Sequence, residues 1–72
     1  MLLKDFLEVS CDDFVIYNAN DDNEFVCSSI FQELPENCSA LLERSIKYVS
    51  STFHVFDEKR GYIHCLGIYL FI

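Results

Sequence analysis

Gly61-Tyr62-Ile63-His64-Cys65-Leu66-Gly67-Ile68-Tyr69-Leu70-Phe71-Ile72 is apolar at both alternating sets of positions. A strand with one wet face would alternate apolar and polar residues. A run rich in β-branched and aromatic side chains on both sets instead predicts a central strand covered on both faces. It is far shorter than the ~20 apolar residues of a bilayer-spanning helix. The rest of the chain can be read as what covers, flanks or pairs with this strand.

Upstream, Leu2, Leu3, Phe6, Leu7 and Val9 keep helical spacing around the polar Lys4, Asp5 and Glu8. That spacing predicts two turns of amphipathic helix, too short to persist without docking on a sheet. Residues 13–17 and 24–28 read as two strands. The polar stretch Asn18-Ala19-Asn20-Asp21-Asp22-Asn23 between them favours Asx turns and left-handed backbone, so the pair is a hairpin with a long tip. Ser28 or Ser29 is placed to cap one helical turn that carries Ile30, Phe31 and Leu34 inward. Pro35 suits the start of a further turn, and residues 37–44 form a short helix crossing between two hairpins.

Residues 45–56 carry two signals. Leu42, Ile46, Val49, Phe53 and Phe56 follow helical spacing, yet Ile46-Lys47-Tyr48-Val49 and Thr52-Phe53-His54-Val55-Phe56 are dense in strand formers. The strand reading is preferred, with a long helix over 42–56 as the alternative. Asp57-Glu58-Lys59-Arg60-Gly61 then closes a second hairpin as a five-residue loop. A tight pairing sets Phe56 opposite Tyr62 and His54 opposite His64, and it sets Thr52, Ser50 and Tyr48 opposite Leu66, Ile68 and Leu70. Ser50 and Ser51 interrupt the alternation, which allows a bulge there. The expected fold is a single α+β domain, residues 1–72, of order α-β-β-α-β-β. Its four-stranded, mostly antiparallel sheet carries two short helices on one face.

Leu3-Lys4-Asp5-Phe6-Leu7-Glu8, Phe14-Val15-Ile16-Tyr17-Asn18, Glu33-Leu34-Pro35-Glu36 and Leu42-Glu43-Arg44-Ser45-Ile46 stand ahead of the closing apolar strand. With these phrases the chain resembles a group of short, acidic, uncharacterised proteins from phages and mobile elements of low-GC Gram-positive bacteria. The resemblance implies genomic context and a strand over 47–56, with no known activity. The longer stretch over 48–56 departs from the group's pattern. Small phage proteins of that type often inhibit host defence, by mimicry or by blocking a surface.

Composition sets further bounds. Of 72 residues, 51% are hydrophobic, with seven Phe and four Tyr, so the chain is globular rather than disordered. A domain this small buries only about 60% of the surface its unfolded chain exposes. Either both sheet faces are covered or a second chain covers one of them, and a homodimer is expected on that ground. Twelve acidic against five basic residues give a net charge of -7. That field repels nucleic acid and anionic membrane and favours a basic partner. Cys11, Cys27, Cys38 and Cys65 include no Cys-x-x-Cys pair, and the start of the chain has no apolar signal-peptide region. Reduced, buried thiols in a host cytoplasm are the expectation.

No residue pattern points to catalysis or to a cofactor. His54 and His64, if cross-strand partners, would supply two metal ligands, while a structural site needs four. Asn18, Asn20 and Asp22 imitate the first half of an EF-hand loop. Asn23 then stands where that loop needs Gly, and Ser29 where it needs Glu. Cys65 and His64 are adjacent, but strand alternation sends them to opposite faces. Asn37-Cys38-Ser39 matches the glycosylation sequon only formally without a secretion signal.

The remaining candidates are surfaces. Asp12, Asp13, Asp21, Asp22, Glu24, Glu33, Glu36 and Glu43 would, on one side, space carboxylates much as nucleic acid spaces phosphates and dock in a basic groove. Arg44, Lys47, Tyr48, Lys59, Arg60 and Tyr62 form an alternative, cationic and aromatic set able to hold a phosphorylated small molecule. The expected function is that of a non-enzymatic, acidic protein of phage or mobile-element origin. It would inhibit a basic host protein, one that handles nucleic acid or serves defence. The alternative is a sponge that sequesters a nucleotide signal at a dimer seam.

Overall fold

The computed structural model describes residues 1–10, 12–29, 34, 36–55 and 58–72, the Asn37 side chain excepted. A helix α1 (Leu3–Val9) leads into strands β1 (Phe14–Asn18) and β2 (Glu24–Ser29). A 3-10 helix (Glu36–Glu43) then leads into β3 (Ile46–Val55) and β4 (Tyr62–Leu70). The four strands form one sheet in the order β2-β1-β4-β3. Both hairpins are antiparallel, and the central β1 and β4 run parallel. The α+β fold read from the sequence is the observed one, and residues 46–55 are strand, not helix.

β4 lies between β1 and β3, as its two-sided apolar pattern requires. On one face Phe14, Ile16, Ile68 and Leu70 meet Leu3 of α1 and Leu41 of the 3-10 helix in the main core. Alternation puts Val15, Cys65 and Gly67 on the other face, where they too are buried. Both helices sit on the first face. Backbone hydrogen bonds tie the chain start to the end of the 3-10 helix and the start of β3. Leu3 N donates to the Arg44 carbonyl at 2.9 Å, and Ile46 N donates to the Met1 carbonyl at 2.8 Å. α1 is thereby anchored at its first turn, which offsets its shortness.

Ser28 and Ser29 both belong to β2. The helical turn expected at 30–33, together with Pro35 and Phe56, lies outside the described residues.

The β3–β4 register differs from expectation by one residue. Val55 pairs with Tyr62, His54 with Ile63, Phe53 with His64, Ser51 with Leu66 and Val49 with Ile68. A slip of one residue moves every side chain to the other face, so His54 and His64 face opposite sides of the sheet. The bulge expected at Ser50 and Ser51 lies instead between Ile46 and Tyr48, leaving Lys47 as the extra residue. Ile46 and Val49 both pack on the main core. Residues three apart share a face of a strand only if one residue is inserted between them.

Candidate interaction surface

β1 begins level with Leu66, so the outer half of the β3–β4 hairpin extends past β1 as a two-stranded ribbon. Two-stranded ribbons twist more strongly than sheets. Here the twist folds the ribbon back across the sheet. His54 of edge strand β3 stacks on Phe25 of the opposite edge strand β2, with ring centroids 5.3 Å apart. In a flat sheet these two edges would stand about 14 Å apart laterally and their positions about 20 Å apart along the strands. Stacked rings thus require a strongly curled sheet, concave on the side away from the helices.

The concave side is filled by a row of aromatic residues, one from each strand and in register. Phe25 pairs with Tyr17, Tyr17 with Tyr69, and Tyr69 with Tyr48. The Tyr17 and Tyr69 rings stack at 4.9 Å, and those of Tyr69 and Tyr48 at 4.2 Å. Such pairs stabilise beyond the area they bury, by about 0.5–1.5 kcal/mol each. Lys47 Nζ caps the row 5.9 Å from the Tyr48 ring centre. Gly67 sits beneath the row. A Cβ there would lie 3.3 Å from both Thr52 Cγ2 and Tyr69 Cε2, and 3.5 Å from Tyr17 Cε2. Burial raises the Tyr17 phenol above its ordinary pKa, against a smaller opposing hydrogen bond with Thr52.

The curl places the acidic β1–β2 turn next to the ribbon. Asp22 and Asn23 adopt left-handed backbone at φ 49° and 58°, a conformation that Asp and Asn tolerate best among non-glycine residues. Asn20 N donates to Asn18 Oδ1 at 2.9 Å, closing an Asx turn. The turn carries Asp21, Asp22 and Glu24, all exposed. A hydrogen bond with Asp21, reinforced by that neighbour's charge, holds the Glu24 carboxyl above the ordinary range. Negative charge is therefore concentrated where Phe25, 51% exposed, begins the aromatic row.

On the helix-side face of the ribbon, Phe53, Val55 and Tyr62 are 63%, 40% and 77% exposed, beyond the reach of α1 and the 3-10 helix. His64 meets Phe53 edge-on at 5.3 Å. Sequence reading put Tyr62 in a surface set with Lys59 and Arg60 and missed that Phe53 and Val55 join it in an exposed strip. The missed signal is β1's short length, which among the described residues leaves the outer ribbon without a strand paired to it on that side.

The predicted acidic set is only partly brought together. Asp21, Asp22 and Glu24 cluster at one end of β1, whereas Asp12 and Asp13 precede its other end. Glu36 and Glu43 sit at the two ends of the 3-10 helix, where Glu43 Oε1 binds Lys4 Nζ at 3.1 Å. Glu33 lies outside the described residues. The cationic set is split. Lys59, Arg60 and Tyr62 lie at the ribbon's tip, while Arg44, Lys47 and Tyr48 lie at or before the other end of β3. His54 and His64, on opposite faces, do not converge on one ion. Among the described residues, no helix is long and apolar enough to cross a membrane. Comparison with protein families, characterised proteins and solved structures returns no match.

Proposed function

We propose that this protein is a non-enzymatic, acidic interaction protein of phage or mobile-element origin. It acts in the host cytoplasm, where it inhibits a host nucleic-acid-handling or defence protein by occupying a basic surface on it. The observation that carries this reading is the stacking of Phe25 on His54. That contact sets the Asp21, Asp22 and Glu24 cluster and the exposed Phe25 ring against the concave face of the ribbon, so carboxylates and an exposed ring lie at one margin. Aromatic anchors beside charge are the usual makings of a protein-binding surface, the rings supplying affinity and the charges steering approach. The strip of Phe53, Val55 and Tyr62 also offers a surface for a homodimer.

The test is capture from host lysate on immobilised protein, comparing wild type with the triple variant Asp21→Asn, Asp22→Asn, Glu24→Gln and with Tyr62→Ser. Exposed charges are screened within about 10 Å at 0.1 M salt. A specific protein should therefore bind at low salt, elute as salt rises, and be lost with the triple variant. The eluted protein should also lose activity when the inhibitor is added back. Equal retention by all three baits at every salt concentration would count against the reading.

A second reading is the nucleotide sponge, drawn to the tip, where Tyr62 stands near Lys59 and Arg60. A rise of several degrees in melting temperature with one nucleotide, and none with the others, would favour it.

A further inference from the structure

We propose that Cys27 and Cys38 form a modification site, a thiol pair that a hydroperoxide converts into an intramolecular disulfide joining β2 to the 3-10 helix. Cys27 sits in β2 opposite Ile16, on the helix-side face, and is buried in the main core. Cys38 is in the first half of the 3-10 helix, half-buried, and packs against that same core. Within that shared core Cys38 lies near enough to Cys27 to make its thiol hold its proton more tightly. Cys65 lies on the concave face, outside that core cluster. The pair is thus defined by the fold. The two residues are far enough apart in sequence that no motif marks them, and the sheet and the 3-10 helix bring them together.

The chemistry follows from the difference between the two environments. Burial, with the neighbouring Cys38 as a second cause, pushes the Cys27 thiol up to about 12, so it keeps its proton at neutral pH. Cys38 is the member that solvent reaches, and the reaction starts there. The Cys38 sulfur attacks the terminal peroxide oxygen, the O–O bond breaks, and the alcohol or water leaves with the proton that the thiol gives up. Cys38 is oxidised to the sulfenic acid and the peroxide is reduced. Cys27 sulfur then attacks Cys38 sulfur. The S–S bond forms as the S–O bond breaks, and the departing hydroxide takes the Cys27 proton and leaves as water. Two thiols and one hydroperoxide give one disulfide, one alcohol and one water. The site needs no reactive Cys27, because a sulfenic acid beside it makes even a slow thiol an intramolecular partner.

Closing the loop between β2 and the 3-10 helix restricts the unfolded chain and should raise the melting temperature by about 10 °C. The experiment treats the purified, fully reduced chain with hydrogen peroxide and maps its peptides by mass without reduction. In parallel it follows the melt before and after reductant. The expected result is a monomer in which Cys27 is linked to Cys38, with a raised melting temperature that reductant reverses. The Cys38→Ser variant, altered at a half-exposed position, should show neither the link nor the rise. The proposal is overturned by thiols that survive peroxide unchanged, by links that run to Cys11 or Cys65 or between chains, or by Cys38 passing to the sulfinic acid without pairing.

Discussion

Replacing Gly67 with valine tests the curled sheet directly, because the curled and flat geometries predict opposite signs. In a flat sheet with an open second face, Gly→Val in a central strand is favourable. The backbone loses less entropy on folding, and a β-branched side chain gains up to about 1 kcal/mol in strand preference. In the observed structure the first added carbon already lies 3.3 Å from Thr52 Cγ2 and Tyr69 Cε2, and 3.5 Å from Tyr17 Cε2. That is close enough that neighbours must yield even for alanine, whose entropic gain of about 0.4–1 kcal/mol is largely cancelled. Valine adds two methyl groups where the stacked rings and Thr52 leave no room. Overpacking of this kind costs about 1–3 kcal/mol. With a urea m-value of about 1 kcal/mol/M for so small a domain, the unfolding midpoint should fall by about 1–3 M. The melting temperature should fall by roughly 10 °C, at about 4–8 °C per kcal/mol. Urea titration followed by circular dichroism measures this, and tyrosine ellipticity in the near ultraviolet reports the disturbed stack. A valine variant at least as stable as wild type would refute the concave packing.

Ile68→Ala removes a wholly buried side chain at the centre of the main core. The cost should be about 2–5 kcal/mol. A chain of this length has only about 4–11 kcal/mol in total, so the variant should be at or near unfolding at 37 °C, as a thermal melt would read. The alkaline limb of stability should depend on Cys27, whose thiol is raised from 9.0 to about 12 by burial and by Cys38. The folded chain holds a proton that the unfolded chain releases above pH 9, so this contribution is complete below pH 9.0 and declines from there towards pH 12. Cys27→Ala should flatten that decline relative to wild type in urea titrations at stepped pH. An unchanged slope would remove Cys27 as its source.

Much of the fold was legible along the chain. Helical spacing in Leu3, Phe6 and Leu7 marked α1, and the Asn and Asp cluster between Tyr17 and Phe25 marked the first turn. The two-sided apolar run at the end of the chain marked β4 as central. Each of these depends on a local period or on the backbone preference of a few residues, which is physics that neighbours in sequence already contain. The strand state of residues 46–55 needed more. Their helical spacing and their strand formers disagreed, and pairing with nine residues of β4 decided it.

What only the tertiary structure decided were quantities that depend on partners distant in sequence. The register of the last hairpin moved by one residue because Ile46 and Val49 both had to reach the core, and that separated His54 from His64. The curl arose because β1 is too short to support the outer ribbon, which then twists until Phe25 and His54 meet. The second face is therefore largely filled by the chain's own Val15, Tyr17, Cys65 and Tyr69. Exposed apolar surface remains at the two ends of its aromatic row, on Phe25 and Tyr48, and on Phe53, Val55 and Tyr62 of the outer ribbon. Periodicity along a strand says which residues share a side. Only the lengths and pairings of the neighbouring strands say whether anything covers that side.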